Sequence, residues 1–129
     1  MRFTGDDAEI LSSAYETELL RRRAFEEQAL REIYAARRSM EMEEYSDAIK
    51  HYRNASRYLA NSPSKQEESK ECRRGIAEGY YQAALQEDRI GRRERAMKLM
   101  DKAVTHRHPK ARRQLETWKA ADDPDANKT

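Results

Sequence analysis

The stretches that decide the fold are EEYSDAIKHYRNASRYL at residues 43–59 and GRRERAMKLMDKAVTHR at residues 91–107. Each runs from a turn to an alanine five residues later, follows it with Ile or Met, and has a second alanine seven residues further on. Residues three, four and seven apart share a helix face, so each stretch predicts an amphipathic helix that a neighbouring helix approaches closely. The second stretch begins 48 residues after the first, which indicates two copies of one structural unit. The equivalent pairs are Ala48 with Ala96, Ile49 with Met97, Tyr52 with Met100, and Ala55 with Ala103.

The segment before the first stretch predicts one long helix over residues 6–42, because it contains neither proline nor glycine. Thr4 and Asp7 are predicted to form the capping box at its start. Apolar residues stay in phase along one side of this helix at about 100° per residue. They are Leu11, Tyr15, Leu19, Phe25, Ala29, Leu30, Ile33, Ala36 and Met40.

Four shorter helices are predicted after this long one. Ser46 is the predicted N-cap of the second helix, and Ser64 with Glu67 is the predicted capping box of the third. Gly91 supplies the turn before the fourth helix, and Pro109 is the predicted first residue of a fifth. The stripe of the fifth helix consists of Ala111, Leu115 and Trp118.

The third helix carries apolar residues on two faces, which predicts a neighbouring helix on each side. Its main face contains Cys72, Ile76, Gly79, Tyr80 and Ala83, and its second face contains Ala77, Tyr81 and Leu85. Gly75 and Gly79 lie inside this helix and are interpreted as places of close packing. We interpret it as the central helix of the domain.

The two repeated stretches resemble the second helices of tetratricopeptide repeats. In that family, small residues occupy the two alanine positions because neighbouring backbones approach closely there. Tyr45 matches the aromatic residue often found after the turn, and Gly91 matches the turn glycine. The small pairs of the family's first helices fall on Ala35 with Ala36 and on Ala83 with Ala84. The resemblance covers about residues 29–108.

The resemblance implies an all-α fold of right-handed helical hairpins, with repeats at about residues 29–62 and 64–108. Two stacked hairpins leave apolar surface at both ends, so caps are needed. The long N-terminal helix and a C-terminal capping helix at residues 109–121 are the available caps. Residues 1–121 are therefore predicted as one domain, and the polar residues 122–129 as a linker or frayed tail.

The function that the resemblance implies is protein–protein interaction, as part of a larger protein or complex. Tetratricopeptide-like domains hold a partner protein or peptide in the groove formed by their first helices. One familiar version grips a terminal carboxylate with lysine and asparagine, but the corresponding positions here hold other residues, so an apolar contact with an arginine rim is expected. A groove filled by the protein's own long helix is the alternative. The candidate partner-binding residues are Ile33, Arg37, Met40, Tyr81 and Leu85.

The sequence contains no arrangement of residues typical of catalysis, so no enzyme activity and no cofactor are expected. His106 and His108 are two residues apart and are expected to point in different directions, which does not favour a metal site. Cys72 lies on an apolar face and is interpreted as a small buried residue. Tyr34 and Tyr81 lie off the main apolar stripes and are the tyrosines expected at an interface.

The charge balance does not favour a nucleic-acid partner. The chain has 26 basic and 24 acidic residues, a formal net charge of +2, and most arginine clusters have glutamate three or four residues away. An RNA-binding helical module is nevertheless one alternative, which the salt dependence of binding would distinguish. No apolar run is long enough to cross a membrane, and the first residues lack the apolar core of a signal peptide.

The expected localisation is therefore soluble, either cytoplasmic or, after removal of a signal, bacterial periplasmic. A second alternative is an N-terminal assembly module of a bacterial envelope secretion or pilus protein of the secretin type. Self-association through the N-terminal helix is a further expectation, because its apolar stripe resembles a dimer seam.

Overall fold

The computed structural model of the chain describes residues 5–125, and the regular structure in that range is helical throughout. A short 3-10 turn at Pro63–Lys65 precedes the third helix, and no strand occurs between residues 5 and 125. The predicted all-α class and the five predicted helices are confirmed. The helices are α1 Gly5–Glu41, α2 Tyr45–Tyr58, α3 Gln66–Arg89, α4 Arg93–Thr105 and α5 Ala111–Asp122.

The N-cap predicted for α2 is wrong. The residue before α2 is Glu44, and Ser46 already lies within the first helical turn. The physical reason is the tight turn that ends α1, which returns the chain to helical geometry at Tyr45. The capping box predicted at Thr4 and Asp7 includes residues outside the described part of the chain.

The starts predicted for α3 and α5 are also wrong. Ser64 lies in the 3-10 turn, so α3 begins only after Lys65 and Glu67 lies in its first turn. Pro109 lies in a turn before α5 rather than in its first position. In that turn the backbone N–H of Lys110 donates to Nδ1 of His108 at 3.1 Å, a local bond that the helical pattern does not predict.

The two turns that follow α1 and α3 have the same geometry. Each contains one residue in the left-handed region, Glu43 with φ 59° and Gly91 with φ 84°. In each turn the next amide donates to the carbonyl five residues earlier, at 2.8 Å for Glu44 and 2.9 Å for Arg92. This is the Schellman pattern, which satisfies carbonyls at a helix end. The left-handed residues and the following helix starts therefore keep the 48-residue offset of the sequence repeat.

The helices pack in the order of the chain, α1 on α2, α2 on α3, α3 on α4 and α4 on α5. The four alanines of the repeated stretches are fully buried, as close packing between helices requires. Polar bonds cross the same contacts: Nδ1 of His51 lies 2.6 Å from a Glu32 carboxylate oxygen, and Nη2 of Arg53 donates to the Tyr80 hydroxyl at 2.8 Å. One continuous core results, which contains Ile33, Ile49, Tyr52, Leu59, Cys72, Ile76, Tyr80, Met100, Leu115 and Trp118.

Only the C-terminal part of α1 packs on this core. Ala29, Ile33 and Ala36 are buried, whereas Leu11 is 54% and Tyr15 67% exposed. The prediction that the whole stripe of the long helix caps the first hairpin is therefore wrong. The reason is length: α1 has 37 residues and α2 has 14, so at about 1.5 Å per residue α2 cannot reach the N-terminal half of α1.

Two glycines on α3 allow α2 to approach closely. A Cβ atom on Gly75 would lie 2.5 Å from Cδ2 of the Tyr52 ring, and one on Gly79 would lie 2.5 Å from Cγ1 of Ile49. Real carbon atoms do not approach so closely, so a larger residue at either position would have to displace the Tyr52 or the Ile49 side chain. The interpretation of these two glycines as close-packing points is confirmed.

The C-terminal helix α5 covers the far end of the core. Ala111, Leu115 and Trp118 are its buried residues. Arg93 links it to the turn between α3 and α4, because its guanidinium carbon lies 5.0 Å from the centre of the Trp118 ring and its Nε 3.1 Å from Asp88. The predicted stripe of the fifth helix is thus buried as expected.

We expect the reciprocal variants Glu43→Gly and Gly91→Ala to change stability in opposite directions. Removing Cβ from a left-handed residue relieves steric cost, so Glu43→Gly should raise the free energy of unfolding by about 0.5 kcal/mol, while Gly91→Ala should lower it by about 1 kcal/mol. Urea denaturation of both variants measures this. A loss of stability in both would contradict the shared left-handed geometry.

We expect Gly79→Ala to lower the free energy of unfolding by about 1 to 3 kcal/mol, because its methyl group would overlap the Ile49 side chain. Helix propensity alone predicts the opposite sign, a gain of up to about 1 kcal/mol. The thermal midpoint, compared with that of the exposed helical variant Ser46→Ala, separates the two effects. A stabilised Gly79→Ala protein would show that α2 and α3 are further apart than described.

Candidate functional site

A groove of about 1300 Å³ lies on the described part of the chain. The C-terminal end of α1 forms one wall, residues 67–78 of α3 form its base, and residues 105–109 between α4 and α5 form the other wall. Met40, Tyr52 and Ala77 supply apolar lining, and charged side chains surround it. The groove exists because α3 is longer than its neighbours and lies between α2 and α4.

The first wall is held by an ion pair between α1 and α3. Nε of Arg37 donates to one Glu71 carboxylate oxygen at 2.7 Å, and Nη2 donates to the other at 2.5 Å. This bidentate hydrogen bonding lowers the pKa of the Glu71 carboxyl and raises the pKa of the Arg37 guanidinium. Both groups are therefore charged near neutral pH, and Arg37 is already engaged within the groove.

The second wall is held by stacked rings. The imidazole of His108 lies parallel to the Tyr81 ring, 4.1 Å between centres and 8° between planes. Its Nε2 lies 2.6 Å from a Glu78 carboxylate oxygen. Because Nδ1 of His108 accepts a backbone N–H, the proton of the neutral ring belongs on Nε2, which donates to Glu78. These contacts fix the loop between α4 and α5 against α3.

The sequence-predicted contact residues separate into two sets. Arg37 and Met40 line the groove. Ile33 is only 1% exposed and belongs to the core between α1 and α2, so no partner reaches it in the folded chain. Tyr81 and Leu85 are half-buried against the core, and Tyr81 meets the groove only through His108. Ile33, Tyr81 and Leu85 do not line this groove, and their part in partner binding stays a prediction.

The groove also contains residues that the sequence pattern did not indicate. Glu71, Arg74 and Glu78 lie on the side of α3 that the apolar stripe leaves open, and His106 and His108 come from the loop. The helix period predicts which side of α3 is exposed. It does not predict that the loop between α4 and α5 lies beside α3, because that position depends on the crossing angle of α3 and α4.

The histidines and the cysteine do not assemble into a reactive centre. His106 stacks on Tyr80 at 5.4 Å between ring centres, while His108 stacks on Tyr81. Between residues 5 and 125, no three His, Cys, Asp or Glu side chains come together as metal ligands. Cys72 is fully buried, and burial raises the pKa of its thiol to about 11, so it is a neutral core side chain at neutral pH.

Tyr34, one of the tyrosines expected at an interface, is exposed. It lies beside Arg37, whose guanidinium carbon is 5.6 Å from the centre of the Tyr34 ring.

None of the described helices combines the length and the apolar character that a membrane span needs.

We expect the stabilising effect of the Arg37–Glu71 pair to depend on pH. The pKa of Glu71 is lowered in the folded state, so its contribution is present above the unfolded value of about 4.3 and is lost as pH falls through the folded value. Both side chains are partly exposed, so Arg37→Met should lower the free energy of unfolding at pH 7 by only about 0.5 to 1 kcal/mol.

Urea denaturation of the unsubstituted chain and of Arg37→Met between pH 7 and pH 3 measures this dependence. The difference between them should shrink in acid, whereas Arg38→Met, which removes a neighbouring exposed arginine, should show no such change. A difference that stays constant down to pH 3 would contradict the pair's assignment.

Comparison of the chain with protein-family models, with curated proteins and with solved structures found no match in any of the three. The relation between the two halves of the chain consequently rests on their own residues. It consists of the buried alanine pairs, the left-handed residues Glu43 and Gly91, and the helix starts that follow these two residues.

Proposed function

We propose that this chain is a non-enzymatic protein-interaction module in which two tetratricopeptide-like hairpins hold a segment of a partner protein. The hairpins are residues 29–62 and 64–108, with residues 109–121 as the C-terminal cap. The repeated turn geometry and the buried alanine pairs support this assignment, because close helix packing at equivalent positions is what a repeat of this kind requires.

The groove carries the proposal. Its volume of about 1300 Å³ exceeds the roughly 300 to 1000 Å³ of pockets that enclose small molecules. Apolar lining from Met40, Tyr52 and Ala77 with a charged rim is the composition of an interaction site, in which buried apolar contacts supply affinity and rim charges supply specificity. A peptide segment with one or two apolar side chains fits this arrangement.

The charges of the groove favour a protein partner over a nucleic acid. The groove is lined by acidic and basic side chains in similar numbers. They are Glu41, Glu67, Glu68, Glu71 and Glu78, with Arg37, Arg73, Arg74 and Arg107. A surface that follows a phosphate backbone is predominantly basic. The mixed rim instead suits a peptide that carries charges of both signs.

The experiment is selection of peptides from a random displayed library on the full chain, followed by measurement of their affinity by fluorescence anisotropy. We expect Met40→Asp to weaken binding at least tenfold, about 1.4 kcal/mol, because it places a charge in the apolar lining. Arg74→Glu should change which peptides bind, since it reverses a rim charge.

The matched control is Arg112→Glu, which reverses an exposed charge on α5 outside the groove. If the selected peptides bind Met40→Asp, Arg74→Glu and Arg112→Glu with equal affinity, the groove is not the binding site. Labelled single-stranded RNA tested on the same proteins provides the second comparison. Tight RNA binding with a steep salt dependence that Arg74→Glu abolishes would replace the proposed partner class with RNA.

A further inference from the structure

The N-terminal half of α1 extends beyond the packed part of the domain. We call residues 8–24 the arm. Just after the arm, Phe25 contacts the end of α2, because its ring centre lies 5.9 Å from that of Tyr58. No residue of the arm is buried, and only Leu19 is half-buried. The arm therefore presents nearly five turns of helix to its surroundings.

The arm exposes large apolar side chains at a density unusual for a free helix. Ile10, Leu11, Tyr15 and Leu20 are each 54% to 67% exposed. At about 100° per residue, Leu11, Tyr15 and Leu19 lie within about 80° of one another. Ile10 and Leu20 each lie about 140° from Tyr15, toward the opposite face of the helix. A contiguous apolar stripe without a covering element is typical of an interaction surface.

The charges of residues 6–23 are divided into two blocks. Residues 6–18 contain five acidic residues and no basic residue, and residues 21–23 are three consecutive arginines. The pair formed inside the arm, Glu18 with Arg21 at 3.8 Å, joins two largely exposed side chains and contributes little. The arm thus contains both members of a complementary pair of charge blocks.

We propose that two copies of this chain associate through their arms in antiparallel orientation, with Tyr15 near the two-fold axis. In this register Leu11 of one copy lies opposite Leu19 of the other, and Glu9 of one copy lies on the same side of the interface as Arg23 of the other. The stripe residues of the two arms then meet each other, with Tyr15 against Tyr15 of the second copy. A parallel pairing would place the two acidic blocks side by side and the two arginine clusters side by side, which is repulsive.

A second copy is the occupant that these observations favour. A two-fold interface must be self-complementary, because the same patch supplies both sides. The arm meets this requirement, because its apolar stripe continues on both sides of Tyr15 and its opposite charges lie at its two ends. The interface would be small, so a weak dimer in the micromolar range of dissociation constants is expected.

Sedimentation equilibrium of the full chain over a range of concentrations tests whether the dimer forms. We expect reversible dimerisation that Leu11→Ser with Tyr15→Ser weakens at least tenfold. Both residues are exposed in the single chain, so this variant should retain its thermal midpoint at low concentration. A chain that stays monomeric at all concentrations would overturn the proposal, as would a dimer that the variant leaves unchanged.

Cysteine cross-linking tests the orientation. Disulfides need Cα atoms within about 4.4 to 6.8 Å of each other. Tyr15→Cys should therefore form a cross-linked dimer under mild oxidation, whereas Leu11→Cys should not, because its copies would be about 12 Å apart along the helix axis. Equal cross-linking of both variants would show a parallel pair and overturn the register. The native Cys72 is fully buried, so it does not compete.

Charge reversal provides a third test of the proposed dimer. Glu9→Arg and Arg23→Glu should each weaken the dimer several-fold by placing like charges beside each other, and the double variant should restore it. Failure of the double variant to restore dimerisation would contradict the pairing of these two residues. None of these substitutions touches the groove, so peptide binding measured on the same proteins tests the proposed function separately.

Discussion

The close approach of α2 and α3 is the constraint on which the rest of this structure depends. Gly75 and Gly79 present no side chain to Tyr52 and Ile49, so the two helices come nearer than any other residue at these positions would allow. The remaining helices are placed relative to this pair, because α1 packs on α2 and α4 packs on α3. A change in the central distance would therefore move both ends of the domain.

The groove follows from that placement. With α1 fixed on α2, Arg37 reaches across to Glu71 on α3, and the loop after α4 reaches the same helix through His108 and Glu78. Two polar contacts thus hold the walls on either side of an apolar strip that includes Met40 and Ala77. The buried core supplies the stability and the partly exposed pairs set the shape, as expected from the small energy of exposed ion pairs.

Much of the fold was predictable from local pattern. The helix period identified five helices, and the spacing of alanines identified the buried faces, because both signals depend on residues within one or two turns of each other. The capping residues Ser46, Ser64 and Pro109 were predicted wrongly. No side-chain cap hydrogen bond forms at the starts of these helices. At the end of α1 the left-handed residue Glu43 allows main-chain bonds to satisfy the last carbonyls, and glutamate gives no sign of that conformation in sequence.

The sequence by itself determined the helical class, the buried alanine pairs and the glycines at the central crossing, since each is a matter of residue type and spacing along one helix. Only the tertiary structure decided which apolar residues are covered. Ile33 and Leu11 belong to the same stripe of α1, yet Ile33 is buried by α2 while Leu11 lies beyond the end of that shorter helix and stays exposed. Periodicity reports which face of a helix is apolar, but the length and position of the neighbouring helix decide where along that face the burial ends.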